Sequence, residues 1–421
     1  MIYLITNQTS IGLEKGIKQA SLQECISYLS GIPTLGLDIE TTRKYNKYFD
    51  FEGLDPHTSK IVMLQIGDLH NQYVIDTRNV DISPLVPMFG NKDITFVGHN
   101  IAFEYKHILK NYGVRLAKVY DTMISEQLLN NDGVQKSYSL NALNEKYLDI
   151  TVDKSIRLGF LTIGDRPFST HEIIYGADDI INPLRIKAYQ EVQMSAEHKD
   201  IEPVFKLEMR FLLGKAEMEY VGVPFNRHIW ESTYNENLKL FNEKTVGLNE
   251  FIIANFPNSP FIERQLDLFD ESTKCSIQWT SSKQVIEFLN FLGICPRAKS
   301  KTTKKVRDTA EAKEVRAILL RDDLSDLIKD FVKSYLSMKE LEQRVTTFGI
   351  KFLKHINPIT GRIHSHYKQI LNTGRISSSG PNNQNIPAQH EFRSAFCADE
   401  GSYLVNADYS GLTIQHILLT L

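Results

Sequence analysis

Across roughly the first 200 residues, short apolar runs alternate with stretches of helical spacing. TLGLDIE (34–40), IVMLQIGD (61–68), YVIDT (73–77) and ITFVGHN (94–100) have the length and composition of strands. AFEYKHILKNYG and DTMISEQLL place apolar residues every three or four positions, as a helix with one buried face does. The alternation predicts an α/β sheet covered by helices. From about 203 to 355 the spacing becomes mostly helical: FKLEMRFLLGKAEMEYVG stops at Gly222, a residue suited to a helix C-terminus, and SKQVIEFLNFLG and one long amphipathic run ending at Gly349 follow. Beyond 356, Gly, Pro, Asn and Ser punctuate the chain, and strands are expected around ITGRIHSHYKQI and YLVNADYS.

Composition narrows the class without naming a function. A chain of 421 residues has room for two or three domains, each with its own core. No apolar run approaches the ~20 residues of a membrane helix, so no membrane association is expected. MIYLITNQTS lacks the basic flank and small-residue cleavage site of a signal peptide. Cys25, Cys275, Cys295 and Cys397 are far apart, which argues against zinc and a disulfide framework and for a reducing intracellular compartment such as the cytoplasm. The net charge of −3 decides little, because positive charge can be concentrated in one groove.

The first chemical signal is Asp38-Ile39-Glu40. On a strand, alternate side chains share a face, so Asp38 and Glu40 point one way while Leu37 and Ile39 enter the core. Paired carboxylates repel unless a cation lies between them, and hard oxygen ligands suit magnesium or manganese. A bare D-x-E is far more often two solvated acids at a strand end. It gains weight from Gly98-His99-Asn100-Ile101-Ala102-Phe103-Glu104, which ends a strand and opens a helix, and from Tyr120-Asp121-Thr122, where Asp121 or Thr122 can cap the next helix. Tyr175 and Asp179 lie four apart, on one face of a helix.

D-I-E, then H-N-x-x-F-acid, then Y-x-x-x-D resembles the three-motif pattern of the DEDDy 3′→5′ exonucleases, which implies an RNase H-like fold. The resemblance implies two magnesium (or manganese) ions on Asp38, Glu40, Glu104 and Asp179, with Tyr175 orienting the attacking water. Asn100 matches a family asparagine that positions the substrate strand. The family usually has Asp where Glu104 stands. The longer side chain moves the carboxylate by ~1.5 Å, so the second ion is held differently or through water. The family spacing favours Asp179 over its neighbour Asp178, and His99 and His171 are left out of the chemistry.

The rest of the chain resembles family A DNA polymerases. Glu217–Val223 and Trp279–Gln284 match segments of their thumb. Lys301, Lys304 and Lys305 belong to a run of basic residues between Arg297 and Arg307 that contains no acid; such a run is often only a solvated loop, but at a thumb tip it would grip duplex phosphates. The most specific stretch, Thr373-Gly374-Arg375-Ile376-Ser377-Ser378-Ser379-Gly380-Pro381-Asn382-Asn383-Gln384-Asn385-Ile386-Pro387, matches the family signature T-G-R-x-S-S-x-x-P-N-x-Q-N-I-P nearly letter for letter. By that resemblance Arg375 and Gln384 contact the primer–template. Asp408, in Asn406-Ala407-Asp408-Tyr409-Ser410, matches a metal-binding palm aspartate, although the family's following Glu and Arg fall at Thr413 and Gln415.

The expected organisation is an RNase H-like exonuclease domain at 1–200, a mainly helical thumb at 201–355 and the first part of an α+β palm at 356–421. The expected activity is metal-dependent removal of 3′-terminal nucleotides during DNA replication or repair, on a single-stranded or frayed primer end. No 5′-nuclease pattern precedes the exonuclease motifs, and the chain stops at Leu421, before the family's fingers and second palm aspartate. Synthesis is therefore expected only with a second chain that supplies them. A stand-alone 3′→5′ exonuclease is the rival that the T-G-R…Q-N-I-P stretch opposes. A non-catalytic DNA-binding remnant is the rival that the intact carboxylates oppose.

Overall fold

The computed structural model describes residues 1–8, 16–42, 54–130, 137–267, 270–299, 305–371, 373–405 and 407. The chain forms two compact units: Met1–Gly222 with Asn357–Gln384, and Val223–Ile356 with Asn385–Leu421.

The first unit is built on a seven-stranded sheet. Its strands are β1 (Ile2–Ile5), β2 (Ile17–Gln19), β3 (Thr34–Thr42), β4 (Lys60–Gly67), β5 (Gln72–Asp76), β6 (Thr95–Gly98) and β7 (Val119–Asp121). They lie in the order β2-β1-β5-β4-β3-β6-β7. β4 runs antiparallel to both neighbours, and the remaining pairs are parallel. Helices α1 (Leu22–Leu29), α2 (Val86–Phe89), α3 (Ala102–Tyr112), α4 (Thr122–Leu129), α5 (Leu140–Leu148), α6 (Thr170–Glu197) and α7 (Glu202–Val221) accompany it. This is the α/β sheet with covering helices that the strand–helix alternation predicts, and it agrees with the RNase H-like fold that the exonuclease resemblance implies.

Period two along β3 does the first work of positioning. Leu35, Leu37 and Ile39 are buried with Phe96, Tyr105 and Ile108 on one side of the sheet. Gly36, Asp38 and Glu40 take the other face, where α6 crosses. α6 begins with a capping box: Ser169 Oγ accepts from the Glu172 amide at 3.3 Å and the Glu172 carboxylate accepts from the Ser169 amide at 2.8 Å. At this crossing one glycine on the helix faces the sheet and one on β3, Gly36, faces the helix. A side chain on Gly176 of α6 itself would meet Gln65 and Met63 of β4 at 2.9–3.0 Å, so the absence of a Cβ sets the helix-to-sheet distance there.

The division between units falls elsewhere than at residues 200 and 355. Helix α7 belongs with the sheet because Met209, Leu212 and Ala216 join the core around Leu37 and Phe96. The segment Asn357–Gln384 also packs in the first unit: Asn357 donates to Asp55 at 2.8 Å, His364 donates to the Glu219 carbonyl at 2.9 Å, and the Tyr367 amide donates to the Glu219 carboxylate at 2.8 Å. No pattern of apolar spacing encodes such polar docking, which is why the sequence boundaries missed it.

The second unit is mainly helical, with α8 (Arg227–Asn255), α9 (Ser282–Phe291), α10 (Ala312–Ala317), α11 (Asp326–Thr347) and α12 (His390–Arg393). Trp279, Phe288, Phe331 and Tyr335 fill its core. The single amphipathic run expected up to Gly349 is broken between α10 and α11. Arg321 is extended there, and Ser325 caps α11 by accepting from the Ile328 amide at 3.4 Å. Strands form at Arg362–Ile363 and His366–Lys368, as expected. The strand expected around Tyr403 does not form over the described residues: Tyr403, Leu404 and Val405 are exposed coil, with no neighbouring strand to satisfy their backbone.

Candidate active site

One cavity of about 400 Å³ gathers most of the exonuclease motif. It is lined by Asp38 and Glu40 from β3, Asn100 and Glu104 at the start of α3, and Tyr175 and Asp179 from α6. Carboxylate oxygens of Asp38, Glu40 and Asp179 lie within 4.8 Å of one another. Glu104, in the first turn of α3, lines the same cavity but stands outside that triplet. Asp178 is not among the lining residues, so the geometry separates it from Asp179.

Backbone chemistry explains how α3 delivers its two residues. Asn100 takes a positive φ of 64°, a conformation that asparagine tolerates better than most side chains. The fully buried Asp121 locks this turn: one oxygen accepts from the Ile101 amide at 2.8 Å, and the other caps α4 through the Met123 and Ile124 amides at 2.8 and 3.1 Å. Asp121 is thus a brace between two helix N-termini. His99 pairs with the Thr122 hydroxyl at 3.0 Å at the cavity edge.

The electrostatics are those of a site made for cations. Burial, and then the charges of Asp179, Glu104 and Glu40, push Asp38 well above the usual carboxylate range. Burial and Asp179 push Glu40 up to about 8, and burial pushes Glu104 up to about 8. Glu104 Oε2 is buried with no hydrogen-bond partner among the described residues. Crowded carboxylates with an unpaired buried oxygen are costly without a counter-charge and fit divalent metal, whose ligands here would be Asp38, Glu40 and Asp179 with Glu104 alongside. Burial and the neighbouring carboxylates also raise the Tyr175 phenol, which therefore keeps its proton at neutral pH.

Sequence reasoning missed Arg157, which lines the cavity, and Asn144, whose buried Oδ1 has no partner among the described residues. A signal for Arg157 existed: it stands three residues before Phe160, a spacing that shares a face in a tight helix. The polymerase-type residues lie elsewhere. Arg375 and Gln384 are exposed on the Asn357–Gln384 segment, where Gln384 closes its own loop by accepting from the Ser378 amide at 3.2 Å and donating to the Ile376 carbonyl at 3.1 Å. Lys305 is exposed beside a hairpin of Arg297–Lys299 and Val306–Asp308 in the second unit. Lys301, Lys304 and Asp408 lie outside the described residues.

Two family signatures match the chain: "3'-5' exonuclease" over residues 17–193 and "DNA polymerase family A" over residues 263–417. The first spans the whole carboxylate cavity. The chain carries a 3'-5' exonuclease region and a DNA polymerase family A region. It is 27% identical to DNA polymerase I of Aquifex aeolicus over 421 residues, covering 96% of this chain and 61% of that one. To DNA polymerase I of Chloroflexus aurantiacus it is 25% identical over 403 residues, covering 94% and 40%. The chain therefore spans less than two thirds of the length of these relatives. Its fold is similar to the POL domain of Pol1 from M. smegmatis, solved with a DNA primer-template and dNTP, with a TM-score of 0.66 at 20% identity over 92% of this chain and 59% of the other. No helix among the described residues is long and apolar enough to cross a membrane.

Proposed function

We propose that this chain hydrolyses nucleotides one at a time from the 3′ end of DNA at the Asp38–Glu40–Asp179 cavity. The observation that carries the reading is the convergence of those three carboxylates within 4.8 Å, beside the protonated phenol of Tyr175. Asp38, Glu40 and Asp179 would hold divalent ions, which would supply an activated water and charge stabilisation for the leaving 3′ oxygen. Tyr175, protonated and directed at Asp179, acts by holding a hydrogen bond and not as a base. Leu54, Phe103 and Met123 offer an apolar wall against which a terminal base can lie, and Asn100 a polar group for its sugar or phosphate. A space of this size accepts one nucleotide and excludes a duplex, so the substrate is a single-stranded or frayed end.

Replacing Asp38 with alanine tests this. Trimming of a 3′-labelled single strand in magnesium falls by about a thousandfold or more, since a lost ligand removes several kcal/mol of transition-state stabilisation. Trimming at the parent's rate by the alanine variant would place the chemistry elsewhere.

On the same reading Lys301, Lys304, Lys305, Arg375 and Gln384 contact DNA. Templated synthesis then draws on Asp408 together with elements carried on a second chain or on a continuation of this one. Primer extension by that assembly, lost on Asp408→Ala, is the test. The four free cysteines suit a reducing intracellular compartment.

A further inference from the structure

A 3-10 helix, Lys154–Thr162, closes one side of the carboxylate cavity. Three contacts fix it. Asp153 caps its start by accepting from the Ser155 amide at 2.8 Å. The Leu161 carbonyl accepts from Thr42 Oγ1 at 3.0 Å, tying the helix to the end of the strand that carries Asp38 and Glu40. Phe160 is fully buried, its ring 6.3 Å from that of Tyr175 and 6.1 Å from that of Phe168. Residues three apart eclipse in a 3-10 helix, so Arg157 leaves on the same face as Phe160, one turn nearer the helix start. It accordingly lines the cavity, and its guanidinium is close enough to feel the charges of Glu40, Tyr175, Asp38 and Asp179. Yet among the described residues it makes no ion pair or hydrogen bond with any of them.

A cation at the mouth of a carboxylate cluster that does not pair with it calls for another partner. Two divalent ions would balance the charge of Asp38, Glu40, Glu104 and Asp179, leaving the guanidinium for whatever anion enters. Arginine suits this role because it stays charged and presents a fork of donors that matches two phosphate oxygens. We propose that Arg157 is a substrate-positioning residue that clamps a non-bridging oxygen of the 3′-terminal phosphodiester. The inference rests on the exonuclease reading of the cavity and adds the recognition of the scissile phosphate. The anchored Phe160 makes the clamp rigid, so the phosphate is held where the carboxylate pole can act on it.

The test is a cycle between protein and strand, read as equilibrium binding with calcium in place of magnesium and the strand checked to be intact. One oligonucleotide ends in an ordinary phosphodiester, the other in a neutral methylphosphonate at the same linkage. Arg157→Ala weakens binding of the charged strand roughly ten- to a hundredfold, the worth of a charge-assisted hydrogen bond, and leaves the neutral strand nearly unaffected. Arg157→Lys recovers part of the loss. Equal weakening of both strands, or none, overturns the assignment. So does tighter manganese binding by Arg157→Ala with unchanged strand affinity, which would make the arginine a mere counterion for the acids. Trimming that Asp38→Ala abolishes shows that the site itself stands even where the cycle removes Arg157 from it.

Discussion

Gly36 of β3 lies so close to Ile180 of α6 that a β-carbon on it would stand 2.7 Å from the Ile180 carbonyl oxygen and 2.9 Å from the Ile180 Cβ. Gly36 shares its face of the strand with Asp38, and Ile180 follows Asp179, so this contact sets the distance between two of the three converging carboxylates. Neither atom at the contact is the end of a flexible side chain. Gly36→Ala must therefore lift the helix, at a cost of about 1–3 kcal/mol in stability. The chemistry suffers more than the fold, because a shift of about 1 Å in a reacting geometry costs on the order of a hundredfold in rate. Thermal melting and 3′-trimming, measured together, check this. A variant with full trimming activity would show that the carboxylates do not depend on this contact.

How much of this was legible in the sequence depends on the kind of interaction. Period two read Asp38 and Glu40 correctly onto one face of β3, and the four-residue spacing read Tyr175 and Asp179 onto one face of α6, because both periodicities are local properties of the backbone. What brings the two faces together is a pair of glycines, Gly36 and Gly176, and a missing Cβ leaves no pattern in a sequence. The spacing of Arg157 to Phe160 hints at a shared face but not at the cavity, because its neighbours there are more than 100 residues away along the chain at Asp38 and Glu40, and 22 away at Asp179. The docking of Asn357–Gln384 on the first unit was likewise hidden, since it runs through His364, Asn357 and the buried Glu219 and not through an apolar stripe.

Buried histidines, one of them at that docking, make stability depend on pH. His107 is fully buried; its Nδ1–H donates to the Phe103 carbonyl at 2.9 Å, and Nε2 lies 2.9 Å from the Ser59 hydroxyl. His364 donates Nδ1–H to the Glu219 carbonyl and accepts from Thr360 at 2.7 Å, with His57 tilted against it at 4.7 Å. Each ring is satisfied as a neutral imidazole. Burial lowers all three, His107 to about 4. The unfolded chain, with histidines near 6.5, then binds more protons than the folded one between about pH 4 and 6.5. The rings' own contribution to stability is complete above that window and falls as pH drops through it, by about 3 kcal/mol for His107 alone, while Glu40 and Glu104, raised to about 8, titrate in the opposite sense. Denaturation of the parent and of His107→Gln at pH 7.5 and pH 5 isolates the ring: the parent should lose stability relative to the variant on acidification. A difference between the two that does not change with pH would mean that the ring is already charged.

The basic run in the second unit should bind phosphates without regard to base sequence. Arg297 is engaged by Asp308 at 3.2 Å across the hairpin, whereas Lys299, Lys305 and Arg307 are exposed. Converting Lys301, Lys304 and Lys305 to alanine should weaken duplex binding about equally for unrelated sequences. The slope of log affinity against log salt should fall by ~0.9 for each phosphate no longer neutralised. An unchanged slope returns the run to a solvated loop.

Glu104 offers the sharpest test of how the carboxylates share their ions. Its Oε2 is buried without a partner among the described residues, and it lies outside the triplet of Asp38, Glu40 and Asp179. A buried carboxylate oxygen left unpaired costs stability unless something occupies the space before it, and the full length of the glutamate is what carries that oxygen into the cavity. Glu104→Asp restores the residue expected from the exonuclease pattern but withdraws the carboxylate by ~1.5 Å. Because α3 is pinned by Asp121 at the Ile101 amide, the backbone cannot advance to compensate. The variant should therefore bind manganese more weakly and trim at least about tenfold more slowly, while keeping its fold. Calorimetric titration with manganese and a single-turnover trimming rate decide it. An aspartate variant that matches the parent in both would mean that Glu104 reaches its ion through a water molecule, which the shorter side chain can then position equally well.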